Sequence, residues 1–472
     1  MKTEFGLSRR VDIFINGYVV ALLALAAWLW SGMRIAYMPY FSAAMLVLLA
    51  VVMHSSVSLH RNGKLHQIIT RMDPLVPIGI LFLVYLGIQA WNGGRVAYFD
   101  IGYQRWVYAP PPHPQWPSSY NRAEAFRVMQ WFWVAWGLAV TLRFLMRNGK
   151  SVYLKRSVIA LLFNAGALAL FGLFRHFARS MSDMDLFSGP GFGSFVYVNH
   201  AAAYFVMMAA VAAGCLLRGV LQSKKGLHHK KWLGAYGVLT FLCVVGANFS
   251  FSRAGIILSW SLTALGAIYG LCKSWKLLKP ASRVNMVAAT LATVAVFYFF
   301  ISGFGSDDIR RRFSVRRPPE TALIPQLARV NLDLGMRQTL WRAGWDVFQQ
   351  HRLYGTGGWG YRYAVATVVD SDSLRRVVRE RGRANVHNDP LQFLAEFGLV
   401  GSGIMLLGLG VLLVPLITHK IWRDPFTTFV GVGLLLVYIF SIIDLPFRNP
   451  AILWMWTSLL AVLPRQVDPV KR

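Results

Sequence analysis

The chain has 472 residues, 56% of them hydrophobic and 15% charged, with a formal net charge of +29. A mean hydropathy of +0.45 lies well above that of soluble globular proteins and excludes a single water-soluble domain. The basic excess is spread over short loops between apolar runs, so it reads as a topogenic signal rather than a nucleic-acid surface.

Runs of about twenty apolar residues cover about 30 Å of hydrocarbon. In chain order they predict about twelve spans, at 13–32, 36–54, 75–92, 125–146, 156–174, 199–217, 233–251, 254–272, 284–302, 391–418, 426–444 and 449–464. The first follows Lys2, Arg9 and Arg10. It is too long for a signal peptide, lacks a small-residue cleavage site, and reads as an uncleaved span. Basic clusters occupy the N-terminus, 61–71, 143–156, 218–231, 273–283, 420–423 and the C-terminus, and every lysine falls in them. These are alternate gaps, so both termini are expected in the cytoplasm. Cys215, Cys243 and Cys272 lie in or at the end of spans without paired spacing and read as small core residues.

Five segments fall on the opposite side. Residues 93–122 are rich in Pro and aromatics and predict an ordered, non-helical loop. Residues 175–199 are polar and Gly-rich, and 249–255 and 445–450 are tight turns. Residues 302–389 form the longest loop and hold fifteen arginines and no lysine. Leu340, Ala343, Val347 and Phe348 recur at helical spacing within 336–351. Gly355, Gly357, Gly358 and Gly360 then suit a turn or a close backbone approach, and 373–381 predicts a second basic helix. The expected fold is an all-α integral membrane protein of about twelve transmembrane helices with one large extramembrane loop domain between spans nine and ten. Its expected divisions are 1–302, 303–390 and 391–472.

No Asp, Glu or Lys lies near the middle of a predicted span, which argues against an ion-coupled transporter. Ionisable groups gather at the outer ends instead: Arg253, Asp444, Arg448, His200 and His387 with the loop arginines. His387 enters span ten from outside, where a neutral imidazole can act as a base or simply cap the helix.

The run Asn385-Val-His387-Asn388-Asp389, followed by an apolar stretch ending in Gly398-x-x-Gly401, resembles the signature of the O-antigen ligase and polymerase superfamily. Three further stretches are similar to that family in the same order. They are Phe195 to His200, Ser250-Phe-Ser-Arg253-Ala-Gly255, and Leu340-Trp-Arg342 through Gly360. The resemblance covers roughly residues 190–405, and the N-terminal third matches in hydropathy only. Ligases of the family often carry Asn, Ser or Gln two residues after the histidine. This chain has Asp389 there, a departure that touches the choice between ligase and polymerase but not the superfamily.

The resemblance implies a GT-C-like fold with its large loop domain in the periplasm, and glycosyl transfer at the periplasmic face of the bacterial inner membrane. The donor would be an undecaprenyl-pyrophosphate-linked glycan and the acceptor a hydroxyl of lipid A-core. A pyrophosphate is already a good leaving group, so the reaction needs no acid to protonate it, unlike glycoside hydrolysis. It needs cations for the developing charge, and arginine binds phosphate oxygens bidentately. On this basis His387 is the expected base and Arg253 and Arg342 the expected catalytic diphosphate ligands. Arg352, Arg362 and Arg383 are further substrate-binding candidates. Asn199 and Asn388 either bind substrate or cap helices. The alternatives of an arginine snorkelling to headgroups for Arg253 and of a solvated helix face for Arg342 stay open.

Arg310–Arg312, Arg316 and Arg317 suit a headgroup patch. Asp370-Ser-Asp372 has DxD spacing, but Arg375 and Arg376 beside it repel a cation, so no metal and no cofactor are expected. Outer aromatics such as Trp116, Trp341, Trp345 and Trp359 either stack on sugars or form the interfacial belt. Membrane lipids are expected partners and nucleic acid is not. Alternative functions are an O-antigen or exopolysaccharide polymerase, a protein O-oligosaccharyltransferase, a SEDS-type peptidoglycan polymerase, which would rely on an outer carboxylate, and a polysaccharide transporter.

Overall fold

Three helices begin with the same short grammar, a side-chain oxygen acceptor followed closely by proline. Asn388 caps α11 (Asp389–Thr418) by accepting from the Leu391 N–H at 3.0 Å. Asp424 caps α12 (Pro425–Ile443), accepting from Thr427 at 3.1 Å. Asn449 caps α13 (Pro450–Val462), accepting from Ile452 at 3.3 Å. The oxygen satisfies an orphan N–H of the first turn, and proline costs nothing where no intrahelical donor is needed.

The computed structural model describes residues 7–29, 35–59, 72–100, 105–181, 191–223, 230–275, 325–368 and 385–466, with isolated positions at 287, 295, 298, 299 and 303. The remaining elements are α1 (Arg9–Trp28), α2 (Met38–Leu59), α3 (Leu75–Trp91), α4 (Arg122–Asn148), α5 (Ser151–Met181), α6 (Val198–Ser223), α7 (Lys230–Phe249), α8 (Arg253–Trp275), α9 (Pro325–Gln350) and α10 (Tyr361–Val368). The protein is all-α. Among the described residues the single sheet is a hairpin of β1 (Ala97–Asp100) and β2 (Arg105–Tyr108), paired antiparallel within the non-helical segment that the prolines predict.

Nine described helices are long and apolar enough to cross a membrane, and α3 and α13 are shorter apolar helices. Together they fall on eleven of the predicted runs; the run at 284–302 lies outside the described residues apart from isolated positions. The protein is therefore a multi-pass membrane protein. The helix predicted at 373–381, the Asp370-Ser-Asp372 motif, Arg310–Arg312, Arg316, Arg317 and Arg383 also lie outside the described residues.

α13 has 13 residues, about 20 Å of helix, and is buried on all sides. Its Trp454 indole donates to the Trp131 carbonyl at 3.0 Å and its Trp456 indole to that of Leu434 at 2.9 Å. α6 presents a stripe of small residues, Ala201 to Ala213, and runs through the centre against α7 and α12. At that contact a Cβ on Gly433 would sit 2.3 Å from the Ala210 Cβ, the close approach that small residues permit between membrane helices.

One feature departs from the expectation of unbroken spans. α11 is interrupted at Gly398 (φ 61, ψ −167). The backbone groups freed there are not left to lipid, because residues 352–357 pair with 395–400 alongside. Thr356 N–H donates to Ala395 O (3.0 Å), Gly357 to Glu396 O (2.8 Å), Leu399 to Arg352 O (2.8 Å) and Val400 to Leu353 O (3.1 Å). Tyr85 and Gln89 of α3 donate to the remaining carbonyls of Tyr354, Phe397 and Glu396. Irregular backbone at membrane depth survives only with such partners. The glycines make the approach possible: Gly355 sits at φ +68, and a Cβ there would lie 2.3 Å from Glu396 O.

Candidate functional site

His387 ends the segment leading into α11 and adopts φ +54, an uncommon conformation for a residue with a side chain. Its neighbours hold it there. Gln392 accepts from Val386 N–H (3.0 Å), Asn388 caps the helix, and the Trp341 indole donates to the His387 carbonyl (3.4 Å). The ring is thereby delivered to Asp444, the C-cap of α12. Nδ1 lies 3.5 Å from Asp444 Oδ1, long for a hydrogen bond. Nδ1 is buried, yet the side chain is 31% exposed, so the accessible part of the ring is its opposite edge.

Asp444 is almost fully buried and heavily tied. Tyr197 O–H donates to it (3.2 Å), as do the Asn199 amide and the Leu445 backbone N–H (2.8 Å), and Arg337 Nη2 lies 4.0 Å away. Burial pushes its carboxyl up, but the His387 ring, Arg337 and the Leu445 N–H outweigh burial and hold it below its ordinary value. Tyr197 is pushed up by burial and by the Asp444 charge, so its phenol remains a donor. The site is thus an imidazole backed by a fixed carboxylate, with an arginine at its side.

A second polar cluster supports the first. Arg448 Nη1 pairs with Glu396 at 2.7 Å, and its Nε lies 3.6 Å from Asp389, all three groups being buried. Asp389 also accepts from Phe447 N–H (2.8 Å), and Glu396 from Trp359 N–H (3.0 Å) and Gln392 (3.0 Å). The 445–448 turn is therefore joined to His387 through Asp444 on one side and to α11 through Arg448 on the other. An apolar cavity of about 340 Å³ begins at Asp389, Phe393 and Phe447 and extends along the bundle to Leu75 and Leu412.

The structure brings together two of the sequence candidates, His387 and Asn199, whose amide also donates to Tyr197 at 2.7 Å. Arg253 opens α8 at the same end of the bundle, where Gly255 packs on Ala202 of α6. Arg342 is exposed and lies beside Gln338, Trp341, Trp345 and Asp346, off the face that carries Arg337 and Leu340. Asn388 serves as a helix cap. Arg352 is exposed and contributes its carbonyl to the glycine turn. Arg362 is already engaged, paired with Glu124 at 3.3 Å and laid 3.8 Å over the Trp359 ring.

Arg337, Tyr197 and Glu396 are members of the network that the sequence reading did not single out. Arg337 carried a signal, since it stands four residues before Trp341 and so shares its helix face. Asp444 and Arg448 were noted only as outer charges, because nothing local ties residue 444 to residue 387.

Residues 238–406 match a family model described as O-Antigen ligase. The match to that family covers less than half of the chain. No curated protein matches it. The family's members are glycosyltransferase-like ligases and polymerases, and residues 238–406 of this membrane protein are similar to them. The matched segment contains Arg253, Arg337, the glycine turn, His387 and Glu396. Asn199 and Asp444, which complete the His387 environment, come from outside it.

Proposed function

We propose that the protein is an O-antigen ligase of the bacterial inner membrane, working at the periplasmic face with both termini in the cytoplasm. It transfers a glycan from undecaprenyl pyrophosphate to a hydroxyl of lipid A-core. The observation that carries this reading is the contact of His387 with a buried, depressed carboxylate beside Arg337, within and around the family segment.

In this mechanism Asp444 accepts from Nδ1–H and fixes the tautomer that leaves Nε2 free on the accessible edge. Nε2 takes the proton of the acceptor hydroxyl as its oxygen attacks the anomeric carbon. The bond from that carbon to the pyrophosphate oxygen breaks, and undecaprenyl pyrophosphate departs with the electron pair. Arg337, with Arg253 from the neighbouring helix start, stabilises the charge that develops on the diphosphate. Asp444 stabilises the imidazolium without taking its proton. The apolar cavity beside Asp389 suits the first part of the polyprenyl tail, keeping the diphosphate near His387 while the tail stays out of water.

The test is transfer by purified protein from one lipid-linked donor to lipid A-core, to a second lipid-linked donor, and to a pilin-like protein. Product on lipid A-core alone is expected. Product only on the second donor makes the enzyme a polymerase, and product only on protein makes it an oligosaccharyltransferase. His387→Ala should abolish transfer in a folded protein, and Arg337→Ala should reduce it about a hundredfold or more. Normal transfer by His387→Ala removes the proposed base.

A further inference from the structure

The exposed face of α9 bears a second feature, immediately behind His387. Gln338, Trp341, Arg342, Trp345 and Asp346 line a shallow, open cleft of about 320 Å³ on one face of the helix. Trp345 is 48% exposed, although nothing prevents a helix surface from carrying Lys or Glu there. Arg342 and Asp346 stand four residues apart on this face, both exposed, and form no ion pair among the described residues. The cleft is physically joined to the site, because the Trp341 indole that forms one wall donates to the His387 carbonyl at 3.4 Å.

We propose that this cleft is a saccharide subsite, holding a sugar ring of the glycan next to the reacting bond; the proposal rests on the glycosyl-transfer reading above. A pyranose presents a C–H face that packs on an indole, while its rim of hydroxyls needs both donors and acceptors. Trp341 and Trp345 supply the aromatic surface. Gln338, Arg342 and Asp346 supply planar polar groups of both kinds. The same set is ill suited to a diphosphate, since Asp346 would repel it. Arg342 is thereby reassigned from phosphate to sugar, and Arg337, turned toward Asp444, retains the phosphate role. Pure interfacial anchoring accounts for the tryptophans but not for the unpaired acid and base between them.

The sugar belongs either to the donor repeat unit or to the acceptor core, and one experiment separates these. Calorimetric titrations of the full-length protein in nanodiscs would use free repeat-unit oligosaccharide and, separately, delipidated and dephosphorylated core oligosaccharide. One of them is expected to bind. Trp345→Ala and Asp346→Asn should each weaken that binding about tenfold, and Trp345→Phe should keep most of it. In transfer assays the same variants should raise KM for the matching substrate by a similar factor with little change in kcat. His387→Ala should lose transfer and keep oligosaccharide binding, which separates failure of this proposal from failure of the proposed reaction. The proposal is overturned if Trp345→Ala and Asp346→Asn change neither oligosaccharide affinity nor either KM while transfer continues.

Discussion

At the scale of single residues, His387 combines an uncommon backbone conformation with a partner 57 positions away, Asp444. Local strain of this kind persists only where surrounding contacts over-determine it, and here Trp341, Gln392 and Asn388 do so. Asp444 has a defined pH signature. Its carboxyl is held below the ordinary value of 3.8, so its stabilising effect is complete above that value and disappears as pH falls through the lower folded one. Asp444→Asn should remove this part of the acid-side stability curve, measured by thermal unfolding between pH 3 and pH 7. The same variant should slow transfer about a hundredfold or more by releasing the imidazole tautomer. An unaltered rate would reduce Asp444 to a structural role. His387 was legible because a motif surrounds it. Arg337 did not stand out beside Arg342, since both lie in the same basic helix and only tertiary packing shows which of them approaches Asp444.

Among the elements, the glycine turn and the break in α11 form one unit. The sequence marks residues 355–360 for close backbone approach, and the structure supplies the object approached, the 395–400 segment of a helix read as continuous. A run of apolar residues cannot reveal that break, because hydropathy averages over it and Gly398 alone does not require it. Glu396 escaped attention for the same reason: it looks like the edge of a span, whereas Arg448 and Trp359 N–H enclose it. Gly355→Ala tests the unit. The added Cβ would lie 2.3 Å from Glu396 O at a backbone φ of +68, and the expected loss is roughly 2–4 kcal/mol of stability. A detergent thermal-shift assay should show a clear fall in Tm, and Gly303→Ala, with open space around it, should show none.

For the whole molecule, the apolar runs carried most of the architecture. Eleven predicted spans coincide with described helices because a bilayer imposes length and composition on each crossing separately. The alternation also has an internal counterpart. At one end of the bundle Asp73 pairs with Arg143 and Arg147, and Arg218 with Asp424, while His387, Asn199, Arg337 and Asp444 meet at the other. In a chain whose three cysteines are replaced by alanine, Trp345→Cys should react with a membrane-impermeant thiol reagent in intact spheroplasts, and Lys420→Cys only after lysis. The reverse pattern would invert the proposed orientation.

The His387 environment draws on the start of α6, on α9, on the lead-in to α11 and on the end of α12. A ribosome-bound chain that stops short of residue 444 possesses the histidine without its carboxylate. The environment is therefore complete only once α12 has packed against α6, so a late-made membrane helix is the one that brings the carboxylate to the imidazole.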